Sequence, residues 1–408
     1  MDPLSNPYTP NAGAKPPLVV GRDDQLSNFD LLLARLERGR TEQSMIITGL
    51  RGVGKTVLLG RFREKALEAN WVVVEIEASK HDEKAFRREL FYELRKALFS
   101  LSPKSKWTDK IKNAASVLKS FGLTIDASGA LTASFDVEAM EGVADSQILS
   151  MDLTEVLVTL GEAAADKQRG IVLLFDEIQF LDKNQLEALI SAIHKTVQRS
   201  LPVTLVGAGL PQIAELAGDA KSYSERLFKF PRIGNLSSED AREALAKPAE
   251  GEGVFFEEDA LELAEELTGG YPYFLQEIGS TIWSTATTSP ITRQDVLDAE
   301  PAYQAKLDSS FFRVRLDRAT PLQSAYLRAM AGLGPEPQKA ADVASAMGRT
   351  SENQAPTRAE LINMGLLYTP EHGYAAFTVP HFDKFMIRAQ PELVVPEKQS
   401  RKKKNGDR

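Results

Sequence analysis

The chain has 408 residues, 26% of them charged and 43% hydrophobic, with a formal net charge of −8 and no cysteine. This is the make-up of a globular protein with enough chain for two or three domains. The missing cysteine excludes disulfides, thiolate zinc sites and cysteine nucleophiles, and points to a reducing cytoplasm. The acidic balance argues against wholesale coating of nucleic acid but permits a local basic site. No apolar run approaches the roughly 20 residues needed to cross a membrane, so no membrane partner is expected.

Met1 to Pro17 reads as a disordered leader, with Pro3, Pro7 and Pro10 where a signal peptide would need an apolar core. Leu26, Phe29, Leu32, Leu33 and Leu36 recur at helical spacing and predict a helix over 25–37, with Asp23 as its N-cap. Strands then alternate with helices. The strands are predicted at 45–48, 71–77, 170–175, 202–207 and 227–233, the helices at 57–69, 82–98, 153–165 and 183–199. The continuous apolar runs Trp71–Val74 and Ile171–Phe175 read as strands covered on both faces. The class is therefore α/β, a parallel sheet between helices. Ser100 to Ser150 is too long for a simple connection and reads as an insertion: an amphipathic helix around Trp107–Leu118, then a hairpin turning at Ala127–Gly129.

From Leu236 the pattern is helical only. Helices are expected from Ser237, at 257–268 before Gly269-Gly270, at 272–285 and at 292–300. Thr320 to Arg388 gives three helices (322–331, 339–347, 354–364) and two short strands around Glu371-His372-Gly373, the order of a winged helix-turn-helix. A basic tail closes the chain. The predicted layout is leader 1–17, sheet domain 18–235, helical lid 236–318, winged helix 319–390 and tail 391–408. His81, His194, His372 and His381 show no metal-ligand spacing, and His194 reads as structural.

Two motifs carry chemistry. Gly49-Leu50-Arg51-Gly52-Val53-Gly54-Lys55-Thr56 fits G-x-x-x-x-G-K-[ST] between a strand and a helix. Gly49, Gly52 and Gly54 let successive N–H groups turn inward on phosphate oxygens, and the next helix, through Val57, adds its positive end. Lys55 would reach the β- and γ-phosphates of ATP, and Thr56 would hold Mg²⁺. Ile171–Phe175 ends in Asp176-Glu177. An acid at the tip of a neighbouring strand suits the Mg²⁺ shell, and the next glutamate can activate water.

With the box Val20-Gly21-Arg22-Asp23, the helical lid and the winged helix, these motifs resemble AAA+ ATPases over roughly Leu18–Arg388. Tyr223–Phe228 and Gly269–Phe274 narrow the resemblance to the origin-recognition-like branch and related STAND-type archaeal and bacterial ATPases. It implies that Val20, Gly21 and Arg22 line the adenine site and that Pro272 and Tyr273 close over the base. It also implies a polar γ-phosphate sensor at the end of Val203–Gly209, where this chain has only Gly207 and Ala208. The lid lacks a sensor arginine. Arg226 is the remaining cation, to act on the γ-phosphate in cis or in trans. Slow or partner-dependent hydrolysis follows, which suits a switch.

The presumed recognition segment offers Arg349, Thr350, Asn353, Gln354 and Arg358 to double-stranded DNA. Pro356 requires that its helix begin near Gln354. Six basic residues face six acids over 320–388, a poor phosphate footprint; the tail adds six basic against three acidic. Three readings stay open: a DNA-associated regulatory ATPase, a STAND-like signalling switch whose winged helix and 100–150 insertion dock proteins, and a nucleotide-binding scaffold with negligible turnover. Nucleotide-dependent self-association is a further expected partnership.

Overall fold

The computed structural model describes residues 1–11, 13–79 and 82–397; His81 and the basic cluster 398–408 lie outside the described residues. The chain divides into two units, Met1–Val296 and Leu297 onward.

The first unit is built on five parallel strands: β1 Ser44–Thr48, β2 Val72–Glu77, β3 Ile171–Asp176, β4 Val203–Gly209 and β5 Phe228–Lys229. Their order is β2-β3-β4-β1-β5. β1 and β4 are buried throughout, and β3 is buried up to Asp176. That is why their sequences read as unbroken apolar runs. β2 departs from expectation. It is an edge strand, and Glu75 and Glu77 alternate outward from buried Val72, Val74 and Ile76.

The helices α1 Asp23–Glu37, α2 Lys55–Glu68, α3 Glu83–Leu101, α4 Asp109–Ile125, α5 Leu149–Asp166, α6 Lys183–Gln198, α7 Ile213–Ala220 and α8 Ser224–Leu227 belong to the same unit. Asp23 does not cap α1; it is the first helical residue, and Arg22 holds the cap position without a side-chain bond. Connections leave β1 for the far edge β2, return through β3 and β4, then jump to β5 on the other side. The order therefore reverses at the carboxyl end of β1, the place where open α/β sheets bind ligands.

Two expectations fail in this unit. The segment after α4 forms no hairpin: Ala130–Thr132 is a single turn of 3₁₀-helix, and α4 itself is core. Ile111, Ala114, Leu118 and Phe121 bury among Phe91, Leu94, Val156 and Leu157. Gly122 permits the close approach, since a Cβ there would come within 2.6 Å of Phe91. An ion pair behind it, Arg87 to Asp152 at 2.9 Å, joins α3 to α5.

The leader is the second failure. Four helices follow the sheet: α9 Ser238–Gly251, α10 Glu258–Thr268, α11 Pro272–Thr285 and α12 Arg293–Lys306. The leader packs on α9 and α11. Tyr8 is buried against Gly279, and its hydroxyl donates to the Leu245 carbonyl at 2.6 Å. Asn6 donates to Ser280, and Thr9 N–H to Gln276. One buried aromatic with a satisfied tip outweighs the disorder suggested by proline.

The second unit holds α13 Arg313–Leu316, α14 Pro321–Leu333, β6 Gln338–Lys339, α15 Ala340–Ala346, α16 Ser351–Asn363, β7 Leu367–Tyr368, β8 Tyr374–Phe377 and α17 Phe382–Ala389. β8 pairs antiparallel with both β6 and β7. β6 and α17 were not foreseen. Phe385 of α17 stacks on Phe312, which ends a π-helical turn, Leu307–Phe312, and Phe382 meets the same ring edge-on. α16 starts three residues earlier than Pro356 predicts, capped by Thr350, and carries the proline inside. No helix among the described residues is long and apolar enough to cross a membrane.

Candidate functional site

The carboxyl edge of the sheet gathers the two motifs. Gly49 follows β1, and its N–H donates to Gly209 O at the tip of β4. Gly52 and Gly54 take positive φ of 83° and 92°, a conformation that a Cβ would oppose. Gly54 caps α2 with no side-chain bond to the first helical N–H groups. Such donors, at the positive end of a helix, suit an anion.

Lys55 is the decisive side chain. It is only 6% exposed. Its ammonium donates to Gly49 O at 3.1 Å and Leu50 O at 2.8 Å. It makes no ion pair among the described residues. Burial lowers its pKa, and Glu177 and then Asp176 oppose that shift through space. A buried cation served by carbonyls alone calls for an anion.

Across the edge, Thr56 Oγ1 donates to Asp176 Oδ2 at 2.6 Å. Burial raises the Asp176 pKa; the Thr56 bond and the Glu177 N–H at 2.8 Å hold it down in part. Glu177 stands at φ 49°, a left-handed conformation that costs a non-glycine residue about 1–2 kcal/mol. Its carboxylate accepts from Gln179 Nε2.

Arg22 is buried and bonds backbone: its guanidinium donates to Val53 O at 3.1 Å, Gly234 O at 2.8 Å and Gly21 O at 2.9 Å. Burial lowers its pKa and Asp240 of α9 opposes the shift. Gly21, at φ 64°, lies where a Cβ would meet Asp240 Oδ2 at 2.6 Å. Tyr273 N–H donates to Gly52 O at 3.2 Å, and Tyr271 and Tyr273 both flank Gly52. The start of α11, with Pro272 at its first turn, thus touches the phosphate-loop backbone directly. Val53 is buried, and Arg51 keeps its Nε buried with no hydrogen bond.

Arg226 stands apart. Phe228, two residues on, pairs with Ser44 at the start of β1, whereas the phosphate loop follows Thr48 at its end. Arg226 thus precedes the strand that flanks the start of β1, at the end away from the phosphate loop, and among the described residues no hydrogen bond or ion pair joins its side chain to that loop. It is exposed, and its carbonyl accepts from Gln43.

The second unit's residues disperse. Gln354 is buried, with neither amide atom hydrogen-bonded. The expectation that it reads a base edge is therefore corrected, because the side chain is buried within the second unit. Arg349 donates to Pro396 O, and Thr350 caps α16 by accepting from Asn353. Asn353 is exposed and Arg358 half-buried. His194 stacks on Tyr223, as a structural histidine does.

Gln179 escaped sequence reasoning. The only signal was its place two residues after Glu177, which no motif marks.

Residues 18–206 match the AAA ATPase domain. That range holds both motifs and the sheet from β1 into the first half of β4, and it accords with the α/β class expected from the sequence. Residues 309–386 match a family described only as a domain of unknown function. No curated protein matches the chain. Among solved structures, a Walker-type ATPase of Pyrococcus abyssi is similar at 17% identity and a TM-score of 0.56, covering 90% of this chain and 96% of that one. At that identity the likeness concerns the fold, and it is that of a P-loop ATPase. The Orc1 protein of Aeropyrum pernix in complex with DNA is similar at 16% identity and TM-score 0.45, covering 93% and 94%. The RuvB Holliday junction branch migration motor of Thermotoga maritima is similar at 17% identity and TM-score 0.46, covering 87% and 92%.

Proposed function

We propose that this chain is an ATP-binding and hydrolysing regulatory ATPase working as a nucleotide-driven switch. The buried, carbonyl-held Lys55 beside an uncapped helix start is the observation that carries the reading. Gly49–Thr56 cradle the phosphates, and Lys55 meets their charge. The residues also fit a metal. Among the described residues no acidic or histidine cluster forms a cage of its own. One hydroxyl and one carboxylate, Thr56 and Asp176, are what Mg²⁺ takes from protein when phosphates supply the rest. When bound, Mg²⁺ neutralises phosphate charge. Glu177 accepts the proton of the attacking water.

Val20, Gly21 and Arg22 with Pro272 and Tyr273 form the base side of this site, and the Tyr273–Gly52 bond gives the helices after the sheet a direct hold on the phosphate loop. Loading changes that hold, which is the switch. Arg226, exposed and remote from its own loop, serves a neighbouring copy in trans, so self-association follows nucleotide. The second unit is a winged helix, supported by its order of three helices and a β7–β8 wing. We assign it to DNA, through Asn353 and Arg358 on α16. The commitment of Gln354, Arg349 and Thr350 to the fold favours a second reading, a protein-docking winged helix in a signalling switch.

The test is ATP hydrolysis and fluorescent-nucleotide binding by wild type, Lys55→Ala and Glu177→Gln. Lys55→Ala should lose binding; Glu177→Gln should bind normally and turn over about 100-fold slower. Equal turnover in wild type and Glu177→Gln would leave a nucleotide-binding scaffold. Absence of ATP binding by wild type would sink the proposal.

A further inference from the structure

The tip of β4 carries no polar side chain, yet the structure fills that place from elsewhere. Gln179 folds back from the turn Ile178–Phe180 after β3. Its Oε1 accepts from Leu210 N–H at 3.0 Å, directly after β4. Its Nε2 donates to Glu177 Oε2. The amide orientation is fixed by chemistry, because a carboxylate only accepts and a backbone N–H only donates. Gly209 is what makes room: a Cβ there would lie 2.7 Å from Gln179 Oε1. The carbonyl of the same Gly209 accepts from Gly49 of the phosphate loop. One amide therefore ties the Glu177 carboxylate to the strand that carries the phosphate loop's first hydrogen bond. Glu177 also acts on the buried Lys55 ammonium through space, ahead of Asp176.

We propose that Gln179 is the positioning residue for the Glu177 carboxylate, occupying the place that a polar side chain at the tip of β4 would otherwise fill. The inference rests on the reading of Glu177 as the water-activating group. A flexible glutamate at a left-handed backbone position has many rotamers; a donor anchored at both ends selects one. The glycine at 209 is then a requirement of Gln179 rather than a lost sensor.

The experiment compares Gln179→Ala, Gln179→Glu, Gly209→Ala, the Gln179→Ala/Gly209→Ala double variant and Glu177→Gln. Gln179→Ala should lower kcat by about 10- to 100-fold, with KM and the Kd of a fluorescent ATP analogue unchanged. Gly209→Ala pushes the flexible Gln179 tip aside and comes to 3.0 Å from Ile178 Cγ2, so it should show the same loss, and the double variant should be no worse than either single. Gln179→Glu keeps an acceptor for Leu210 but sets carboxylate against carboxylate; it should lose turnover as well. In nucleotide-free protein, hydrogen exchange at the Leu210 amide should quicken in Gln179→Ala and stay slow in Gln179→Glu. Wild-type kcat in Gln179→Ala or Gln179→Glu would overturn the proposal, as would a raised Kd with kcat unchanged. Additive losses in the double variant would also overturn it. If Glu177→Gln itself turns over like wild type, the reading of Glu177 fails first, and that result is distinct from the others.

Discussion

At the carboxyl edge of the sheet, the backbone fixes Lys55, Thr56, Asp176 and Glu177 and leaves their charge unspent. Lys55 is buried and hydrogen-bonded only to carbonyls, and Asp176 holds a hydroxyl rather than a cation. On α16 the same kinds of side chain are consumed by the fold. Thr350 caps the helix, Arg349 holds the Pro396 carbonyl and Gln354 lies inside. Residue type alone suggested a ligand at both places. What separates them is what remains after local hydrogen bonding is satisfied, and that remainder is a property of the structure.

The contrast breaks most sharply at Asp176. Asp176→Asn keeps shape and one acceptor but removes the charge that Thr56 and a metal would share. Turnover should fall about 100- to 1000-fold, some 3–4 kcal/mol of transition-state stabilisation. Steady-state hydrolysis titrated with Mg²⁺ checks it. An unchanged Mg²⁺ dependence would mean that Asp176 is no more committed to ligand than Thr350.

Gln354 gives the next effect, with the sign reversed. Its amide is buried without a hydrogen bond, at a desolvation cost of about 1–3 kcal/mol. Gln354→Leu should therefore stabilise the second unit, seen as a raised Tm. A fall in Tm would show that the amide serves the fold. Tyr8 sharpens this by opposition. Its hydroxyl is buried too but paired to Leu245 O, so Tyr8→Phe should cost about 1 kcal/mol, read from the denaturation midpoint.

These differences show what the sequence could reveal. The phosphate loop and Asp176-Glu177 were legible because their chemistry is local: glycine spacing and a strand end suffice to place them. β1, β3 and β4 were legible because both faces are covered. β2 misled, since Trp71–Val74 reads as central while its edge position appears only through Glu75 and Glu77. The leader was misread because proline is a local signal and the Tyr8 contact spans 237 residues of chain. Gln179 was invisible for the same reason. Its meaning depends on Leu210, 31 residues away, and on the absent side chain at Gly209. The start of α16 was misplaced because capping by Thr350 outweighs the hydrogen bond that Pro356 omits.

The smallest expected effect decides what α16 is for. Arg358 is half-buried, and its charge opposes through space the rise that burial gives the Tyr326 phenol. If the helix touches duplex DNA, Arg358 can neutralise about one phosphate. Arg358→Ala should then lower the slope of log affinity against log salt by about 1, uniformly across sequences. Asn353→Ala, at an exposed position with a base-reading side chain, should instead alter preference among sequences and leave the slope alone. Duplex binding measured at several salt concentrations separates these outcomes. A slope near zero in wild type, or one that neither substitution moves, would assign α16 to a protein partner. The net balance of six basic and six acidic residues over 320–388 would then be the natural charge of a docking module, and the comparison with the sheet edge would hold for the whole helix.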